Sequence, residues 1–381
     1  MLKCDIDQAC GTLPCTEGYK CEHLIPDRHS RVRVLFINTE KARCSIYESG
    51  LMIYNALATN RDIDLHYMEL KKDNLTIPGG YDVYAFNYHP IVQDWLDVTS
   101  IRNLNGFTVA FVLEVARDDP FVMVPETVFD AYCAIDPTIE SGGRVYAFPR
   151  PLEKHQTYSF GRPQEGRAVI GSFGFPTAGK GFEKVVDAVN KEFDSALVRI
   201  NIPNMDFTNN GLPDNYAAVI EKECKKRAKA GVTVEVTHDY MTKPELVQWC
   251  ADNTLNVFLY SRNIPGLAAT TDQAISSSRP LAISTNDTFR HIHPYLTPYP
   301  CRSLKESIIR SMPEVYTMQK AWSQEQFGKA FSNVLAKNNI QAGSGGRESV
   351  SLDAHPAYVM ICRAVLGVAG RGVQKCRGYL D

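Results

Sequence analysis

Short runs of apolar and β-branched residues alternate with amphipathic helical patterns along most of the chain. Residues 107–114 (FTVAFVLE) are almost continuously apolar, which is typical of a strand buried on both faces of a parallel sheet. A helix is predicted over residues 45–58. The other strands predicted in this half of the chain are residues 31–38, 63–68, 81–87, 131–136 and 145–148.

The same alternation starts again after residues 149–167, a Pro- and charge-rich stretch that we interpret as a linker. Strands are predicted at residues 168–173, 196–201, 232–236, 255–260 and 281–284, and helices at residues 182–193, 216–230, 242–251 and 270–278. Because strands that alternate with helices form parallel βαβ units with right-handed crossovers, each half predicts one sheet flanked by helices. We therefore expect an α/β fold with two Rossmann-like domains that face each other across a cleft.

The length of the chain fits this division, because 381 residues at ~150 per domain suggest two domains with a remainder for tails. We assign residues 31–150 to the first domain and residues 165–320 to the second. Residues 321–381 are predicted to form C-terminal helices and a tail that return to the first domain. Their predicted elements are a helix at residues 325–337, a flexible loop at 338–348 and an apolar helix at 357–368.

Residues 1–30 form a Cys-rich arm that contains Cys4, Cys10, Cys15 and Cys21. Their spacing lacks the short C-x2-C pairs that mark structural zinc sites. The total of 11 cysteines is odd, and no secretion signal precedes them, which favours mostly reduced thiols. We interpret the segment as a tethered arm with free thiols or local disulfides, and zinc binding is the less favoured alternative.

Composition and charge narrow the class of protein further. The formal net charge is −2, from 41 basic and 43 acidic residues, so the chain has no electrostatic footprint for nucleic acid or an anionic membrane. No apolar run approaches the ~20 residues that a membrane helix requires, and no integral membrane segment is expected. We expect a soluble, cytoplasmic protein.

The segment most informative about chemistry is residues 169–189, VIGSFGFPTAGKGFEKVVDAV. A strand ends near Gly171 and Ser172, a glycine-rich loop follows, and Lys180 opens a helix. Backbone amides in such a loop approach a phosphate closely, the helix N-terminus favours an anion, and the lysine neutralises its charge. An ordinary tight turn is the structural alternative, and the motif needs context to decide between the two.

Residues 249–284, WCADNTLNVFLYSRNIPGLAATTDQAISSSRPLAIS, supply that context. Together with the Lys-Gly loop, this segment resembles the donor-binding half of GT-B glycosyltransferases, especially the large retaining family known as glycosyltransferase family 4. The resemblance spans residues 31–337 and implies a GT-B fold, with the acceptor bound by the first domain and a nucleotide-sugar bound by the second. Several motif positions differ: the first motif glutamate is replaced by Asn263, Ile264 and Pro265, and the family histidine by Glu114 or its neighbours.

Although motif residues of the family are missing, five residues at or near one short helix are candidates for binding the donor. Thr270 and Thr271 are expected to bind a diphosphate, or else to act as simple helix caps. Asp272 and Gln273 are expected to bind the ribose hydroxyls, although Asp272 also fits a favourable first-turn charge. Arg262 is expected to assist Lys180 in binding the phosphates. The structural alternative is that Arg262 is an exposed loop residue with no ligand.

Two residues of the first domain are candidates for catalysis. Glu114 follows the most apolar strand, and ligands of open α/β sheets lie beyond the carboxyl ends of strands. Partial burial would raise its pKa and suit it to act as a general base on an acceptor hydroxyl. An ion pair with Arg117 is the structural alternative, and His89 is a second candidate base. His291 and His293 lack a companion carboxylate pattern, so no metal site is assigned.

These observations lead to one functional expectation and two rivals. The chain is expected to be a metal-independent glycosyltransferase with no cofactor, transferring sugar from a UDP- or GDP-sugar to a hydroxyl of a glycan, lipid or other acceptor. The rivals are a non-catalytic sugar- or nucleotide-binding protein on the same fold and a nucleotide-sugar epimerase. The sugar, the acceptor, the stereochemistry and the oligomeric state stay open.

Overall fold

The first half of the chain forms one parallel sheet. The computed structural model describes residues 31–40, 44–153, 167–203, 213 and 215–354. Elements of the first half are β1 (Val32–Thr39), α1 (Ser45–Leu57), β2 (Ile63–Leu70), β3 (Thr76–Ile77), β4 (Val83–Asn87), β5 (Phe107–Val112), β6 (Ala131–Ala134) and β7 (Val145–Ala147). Six of these strands form a sheet in the order β2-β1-β4-β5-β6-β7, and every neighbouring pair is parallel.

The second half forms a second, five-stranded parallel sheet in the order β10-β9-β8-β11-β12. Its elements are β8 (Ala168–Phe173), α2 (Phe182–Glu192), β9 (Ala196–Asn201), α3 (Tyr216–Arg227), β10 (Val232–Thr237), α4 (Lys243–Ala251), β11 (Leu255–Phe258), α5 (Thr270–Ser276) and β12 (Leu281–Ile283). The chain continues through α6 (Leu304–Arg310), α7 (Met312–Ala321), α8 (Gln324–Lys337) and β13 (Val350–Ser351). Strand β13 pairs with β3 in an antiparallel two-stranded sheet.

Apolar side chains fill both faces of each sheet, which explains why the central strands read as continuous apolar runs. Every residue of β4, and every residue of β5 except Phe107, is buried. Helix α1 covers one face of the first sheet, and Phe327 and Phe331 of α8 pack into the same cluster. Helix α7 instead packs on the second sheet through Val315 and Met318. The C-terminal helices therefore cross from the second domain to the first.

The fold predicted from the sequence, two Rossmann-like α/β domains, is confirmed. The strand predicted at residues 107–114 ends at Val112, and the one predicted at 255–260 ends at Phe258, so Glu114 and Tyr260 both lie in the loops that follow. Helices α6 and α7 were not predicted. The Cys-rich arm, the predicted helix at 357–368 and residues 154–166 of the linker lie outside the described residues. Within the described part of the chain, no helix combines the length and apolar character needed to span a bilayer.

Candidate functional site

The carboxyl ends of the two sheets face each other, and the loops that follow β5 and β11 are in contact. The amide of Gly266 donates a hydrogen bond to the carbonyl of Val115 at 3.0 Å. The guanidinium of Arg290 donates to the same carbonyl at 2.9 Å. Ligands of open α/β sheets bind beyond the carboxyl ends of strands, so this region is the candidate site.

A glycine-flanked loop carries Lys180 to the end of β11. The carbonyl of Gly179 accepts a hydrogen bond from the amide of Ser261 at 2.9 Å. Gly181 has φ +68, and a Cβ at this position would collide with the carbonyl oxygen of Leu259. Since the backbone conformation and the close approach both require glycine here, the Gly-Lys-Gly sequence is what brings the lysine against the second sheet.

Lys180 is a buried lysine that has no acidic partner among the residues that the structure describes. Its Nζ donates to the hydroxyl of Tyr260 at 3.0 Å and lies 4.6 Å from the centroid of that ring. The Tyr260 hydroxyl is also hydrogen-bonded to Oγ1 of Thr270 at 2.8 Å. Lys180 takes part in none of the ion pairs found among the described residues. Burial, with a smaller effect from Arg262, holds the pKa of Lys180 well below its ordinary value, so an anionic ligand here would stabilise the charged lysine.

The two candidate catalytic residues of the first domain form a pair. His89 follows β4 and Glu114 follows the neighbouring strand β5, and their Nε2 and Oε2 atoms are 3.4 Å apart. Nδ1 of His89 accepts a hydrogen bond from the amide of Ile91 at 3.3 Å, so in the neutral ring the proton lies on Nε2 and points to the carboxylate. Both ring nitrogens are therefore engaged. The His89 side chain is 6% exposed and that of Glu114 is 33% exposed, so the carboxylate is the group that a ligand reaches.

The electrostatic surroundings of Glu114 differ from those expected from the sequence. Burial alone would raise its pKa, but the hydrogen bond from His89 and the charges of His89 and Arg262 lower it, and the net pKa lies below the ordinary value. The expected rise in pKa is therefore wrong, and the group is a carboxylate at neutral pH. The alternative pairing with Arg117 is also wrong, because that side chain pairs with Asp287 at 3.1 Å.

Arg262 lies in the loop after β11, beside the glycine-flanked loop, because a Cβ on Gly179 would stand 3.1 Å from Cγ of Arg262. Its positive charge lowers the pKa of Lys180 in the second domain and that of Glu114 in the first. Its carbonyl accepts a hydrogen bond from the side chain of Asn286 at 2.8 Å, which fixes the backbone of the loop. Arg262 is a partly exposed residue next to the Lys180 loop, and its expected role on the phosphates stays a prediction.

Asp272 and Gln273 were expected to bind ribose, but the structure places both at the interface between the domains. Both carboxylate oxygens of Asp272 accept hydrogen bonds from Arg150, at 2.6 and 3.2 Å. The amide of Gln273 donates to the sulfur of Met52 on α1 at 3.6 Å. We therefore assign both residues to the interface, because their side chains are buried there and Asp272 already has a partner of opposite charge.

Three other residues that were expected to bind the nucleotide-sugar donor are instead engaged in the structure of the second domain. Gly171 and Ser172 lie inside β8, where a Cβ on the glycine would collide with the amide of Asn253 and the serine is fully buried. The hydroxyl of Thr271 donates to the carbonyl of Ala268 at 2.8 Å, so it is engaged with nearby backbone. It does not cap α5, because the N-cap residue is Ala269 and no side-chain hydrogen bond caps this helix. The anion-binding assignment therefore moves from Gly171 and Ser172 to the Lys180 loop, and of the two threonines Thr270 is the one beside it.

Sequence reasoning missed the residues that hold the two walls together. Arg290 pairs with Asp136 at 2.6 Å, with side chains 1% and 0% exposed. Arg150 and Asp272 form the second buried pair, with side chains 3% and 2% exposed. The sequence signal was weak, because both arginines lie in irregular segments. Tyr260 was also missed, although a hydroxyl-bearing aromatic at the end of a buried strand was a visible sign.

His291 and His293, the two histidines considered as metal ligands, contact an aromatic ring and a backbone carbonyl. His291 is buried and stacks on Trp322, with ring centroids 5.4 Å apart. A ring nitrogen of His293 is 3.2 Å from the carbonyl of Ser284. Among the residues that the structure describes, no group of three or more His, Cys, Asp or Glu side chains is arranged to hold a metal ion.

Comparison with known proteins identifies the architecture. The sequence matches no protein-family model and no curated protein. The structure is similar to that of Anabaena Alr3699/HepE in complex with UDP and glucose, with a TM-score of 0.55 at 9% identity over 81% of this chain and 100% of that chain. It is also similar to the E. coli trehalose-6-phosphate structure bound with UDP-2-fluoro glucose, with a TM-score of 0.53 at 10% identity over 79% and 98% of the two chains.

A third similar structure is the N-terminal domain of Candida albicans trehalose-6-phosphate phosphatase, with a TM-score of 0.51 at 8% identity over 80% and 96% of the two chains. These likenesses show the fold of the chain. It is the GT-B fold of glycosyltransferases, in which two Rossmann-like domains enclose a cleft.

Proposed function

We propose that the protein is a glycosyltransferase that transfers a sugar from a nucleotide-sugar donor to an acceptor hydroxyl. The observation that carries the proposal is that Lys180 and Glu114 both lie at the loop that follows β11: Lys180 is hydrogen-bonded to Tyr260 there, and a Cβ on Gly266 of the same loop would stand 3.1 Å from Cγ of Glu114. A cation cluster and a carboxylate meeting across a GT-B cleft are the two groups that such a transfer requires. The solved structures similar to this chain that contain UDP support the choice of donor.

The second domain would bind the donor through its diphosphate. Arg262 is a cation, Lys180 would be charged once an anion is bound beside it, and Thr270 supplies a hydroxyl that is linked to Lys180 through Tyr260. When the bond to the sugar breaks, the leaving nucleotide diphosphate gains negative charge, and these preorganised donors would stabilise it without reorganising. They replace the metal ion that other sugar transferases use, so we propose metal-independent transfer. UDP and GDP are the nucleotides to test first.

The first domain would bind the acceptor, with Glu114 as the group closest to the reaction. Its carboxylate is positioned by His89, which leaves the rest of the side chain accessible. As a base, it would accept the proton of the acceptor hydroxyl in an inverting displacement, although its lowered pKa makes it a weaker base than one poised near neutrality. As a fixed negative charge, it would instead stabilise positive charge developing at the sugar in a retaining route. The acceptor is a hydroxyl on a glycan, a lipid or another molecule.

Calorimetric titration with UDP and GDP tests the donor half of the proposal. Lys180→Ala should weaken binding of the preferred nucleotide by ~1.5–3 kcal/mol, the scale of a charge-assisted hydrogen bond. Lys184→Ala is the matched control, because Lys184 is an exposed lysine on α2, the helix that follows the Lys180 loop. Unchanged affinity in Lys180→Ala would remove the lysine from the site, and failure of both nucleotides to bind the wild-type protein would contradict the donor assignment.

Product analysis separates the transferase from its two rivals. Slow release of nucleotide diphosphate from a nucleotide-sugar without acceptor supports a transferase, since water then replaces the acceptor hydroxyl. An epimerase would convert the donor sugar and release no diphosphate. A binding protein would neither release diphosphate nor convert the sugar. One observation favours it: Asp272 is paired with Arg150, so its carboxylate is not available to bind the donor.

A further inference from the structure

We propose that Tyr260 is a positioning residue of the donor site, whose hydroxyl orients Lys180 and Thr270 so that both present hydrogen-bond donors to a diphosphate. This inference rests on the proposed function, because it concerns the same site. Tyr260 would act through its two neighbours, and its own side chain is 3% exposed.

The geometry ties the three side chains into one chain of hydrogen bonds. The ammonium of Lys180 is 3.0 Å from the Tyr260 hydroxyl and lies over the same ring at 4.6 Å from its centroid. The hydroxyl continues to Oγ1 of Thr270 at 2.8 Å. Tyr260 follows β11 and Thr270 opens α5, so the chain links the end of a buried strand to the start of a helix. Side chains with such supports lose little freedom when a ligand binds.

The direction of the chain follows from the chemistry of its members. A lysine ammonium has three donors and no acceptor, so the Tyr260 oxygen accepts from Lys180. The phenolic proton then needs an acceptor, and Oγ1 of Thr270 is the other partner that the structure gives it. With its oxygen accepting from Tyr260, the Thr270 hydroxyl keeps its own proton for a ligand, and it is partly exposed. The lysine likewise keeps donors beyond the one given to Tyr260.

Loss of the lysine proton reverses the hydrogen bonds in this group. A neutral amine accepts a hydrogen bond, so the Tyr260 proton turns to Lys180 and Thr270 donates to Tyr260 instead. One deprotonation then removes the positive charge and the Thr270 donor from the site. Among the described residues, the charged and titratable groups next to Lys180 are Tyr260, which follows β11, and Arg262, whose charge lowers the pKa of the lysine. Since Tyr260 stabilises the charged lysine by accepting from it, removing the hydroxyl should lower that pKa further.

A mutant cycle with UDP as the probe tests the orientation. We expect Tyr260→Phe to weaken UDP binding about 10-fold at pH 7, and Thr270→Val to weaken it by a similar factor, the scale of one hydrogen bond to a charged group. In the Tyr260→Phe background, Thr270→Val should add less than about 3-fold, because the threonine has already lost its orientation. Tyr84→Phe is the matched control, since Tyr84 is a buried tyrosine whose hydroxyl donates to Pro78 in the other domain.

A second measurement needs no ligand. The pKa of Lys180 is measured by NMR titration of protein with 13C-labelled lysine side chains, and Lys180→Arg identifies its signal. We expect Tyr260→Phe to move this pKa to a lower value and Tyr84→Phe to leave it unchanged. An unchanged pKa, or additive losses of UDP affinity in the cycle, would overturn the role of Tyr260 while the glycosyltransferase proposal stands. If UDP and GDP both fail to bind the wild-type protein, the proposed function fails and this inference fails with it.

Discussion

Breaking the ion pair between Arg150 and Asp272 tests how the two domains are held. The two side chains are 3% and 2% exposed, and two hydrogen bonds of 2.6 and 3.2 Å join them. Asp272→Leu leaves a guanidinium buried with a backbone carbonyl, that of Ile135, and without an opposite charge. An uncompensated buried charge of this kind costs about 3–5 kcal/mol. We expect Arg150→Met to cost a similar amount.

The double variant, Arg150→Met with Asp272→Leu, separates the value of the pair from the cost of breaking it. Replacing both partners with apolar residues of similar volume is often neutral, so the double variant should be more stable than either single variant. Urea unfolding followed by tryptophan fluorescence gives the free energies. Trp249 and Trp322 report on the transition because they pack in the same apolar cluster as Ala274 and Ile275 of α5.

An exposed ion pair across the same interface provides the control. Arg117 and Asp287 are 61% and 64% exposed, so Arg117→Gln should cost about 0–1 kcal/mol. A loss below about 1 kcal/mol in Asp272→Leu would refute the reasoning from burial. A further variant tests the ribose-binding role that the sequence predicted for Asp272. If Asp272 bound ribose, Asp272→Asn would weaken UDP binding while leaving stability nearly unchanged.

Two further predictions concern the reaction. Glu114→Gln should lower turnover by about 100-fold or more with little change in donor affinity, whereas the surface variant Glu126→Gln should match the wild type; near-normal turnover in Glu114→Gln would make Glu114 structural. Because the pKa of Glu114 is lowered, its contribution to turnover should be complete at neutral pH and lost only as the pH falls through that lowered value, which a pH–rate profile checks. Turnover should also survive EDTA, and complete loss that manganese or magnesium restores would count against stabilisation by Lys180 and Arg262.

The fold was predictable because its signals are local. Apolar runs of strand length alternate with helical periods in both halves, and parallel pairing follows from that alternation. The position of Lys180 was predictable for a similar reason. The glycines on both sides of it indicate a left-handed backbone conformation and a close contact between this loop and the backbone after β11. Helices α6 and α7 were missed because only a few of their residues are buried, so they carry almost no apolar period.

The partners of individual polar residues were harder to predict. Asp272 is a first-turn carboxylate near the cleft, and the sequence does not distinguish such a residue that faces a ligand from one that faces an arginine 122 positions away. The pairing of His89 with Glu114 depends on β4 and β5 being neighbours in the sheet. The direction of the Glu114 pKa shift depends in turn on that pairing and on Arg262. Each step needs a long-range contact that no local pattern reports.

The charges of the cleft divide in the way that the proposed reaction needs. Lys180 and Arg262 place positive charge where a diphosphate would leave, and Glu114 places negative charge on the opposite wall, where positive charge would develop on the sugar or a proton would be taken from the acceptor. The buried pairs of Arg150 and Arg290 have their own carboxylates, so they fix the walls and add little net charge to the site. Because the charged groups are held in place before the ligand arrives, stabilising the transition state would require little reorganisation.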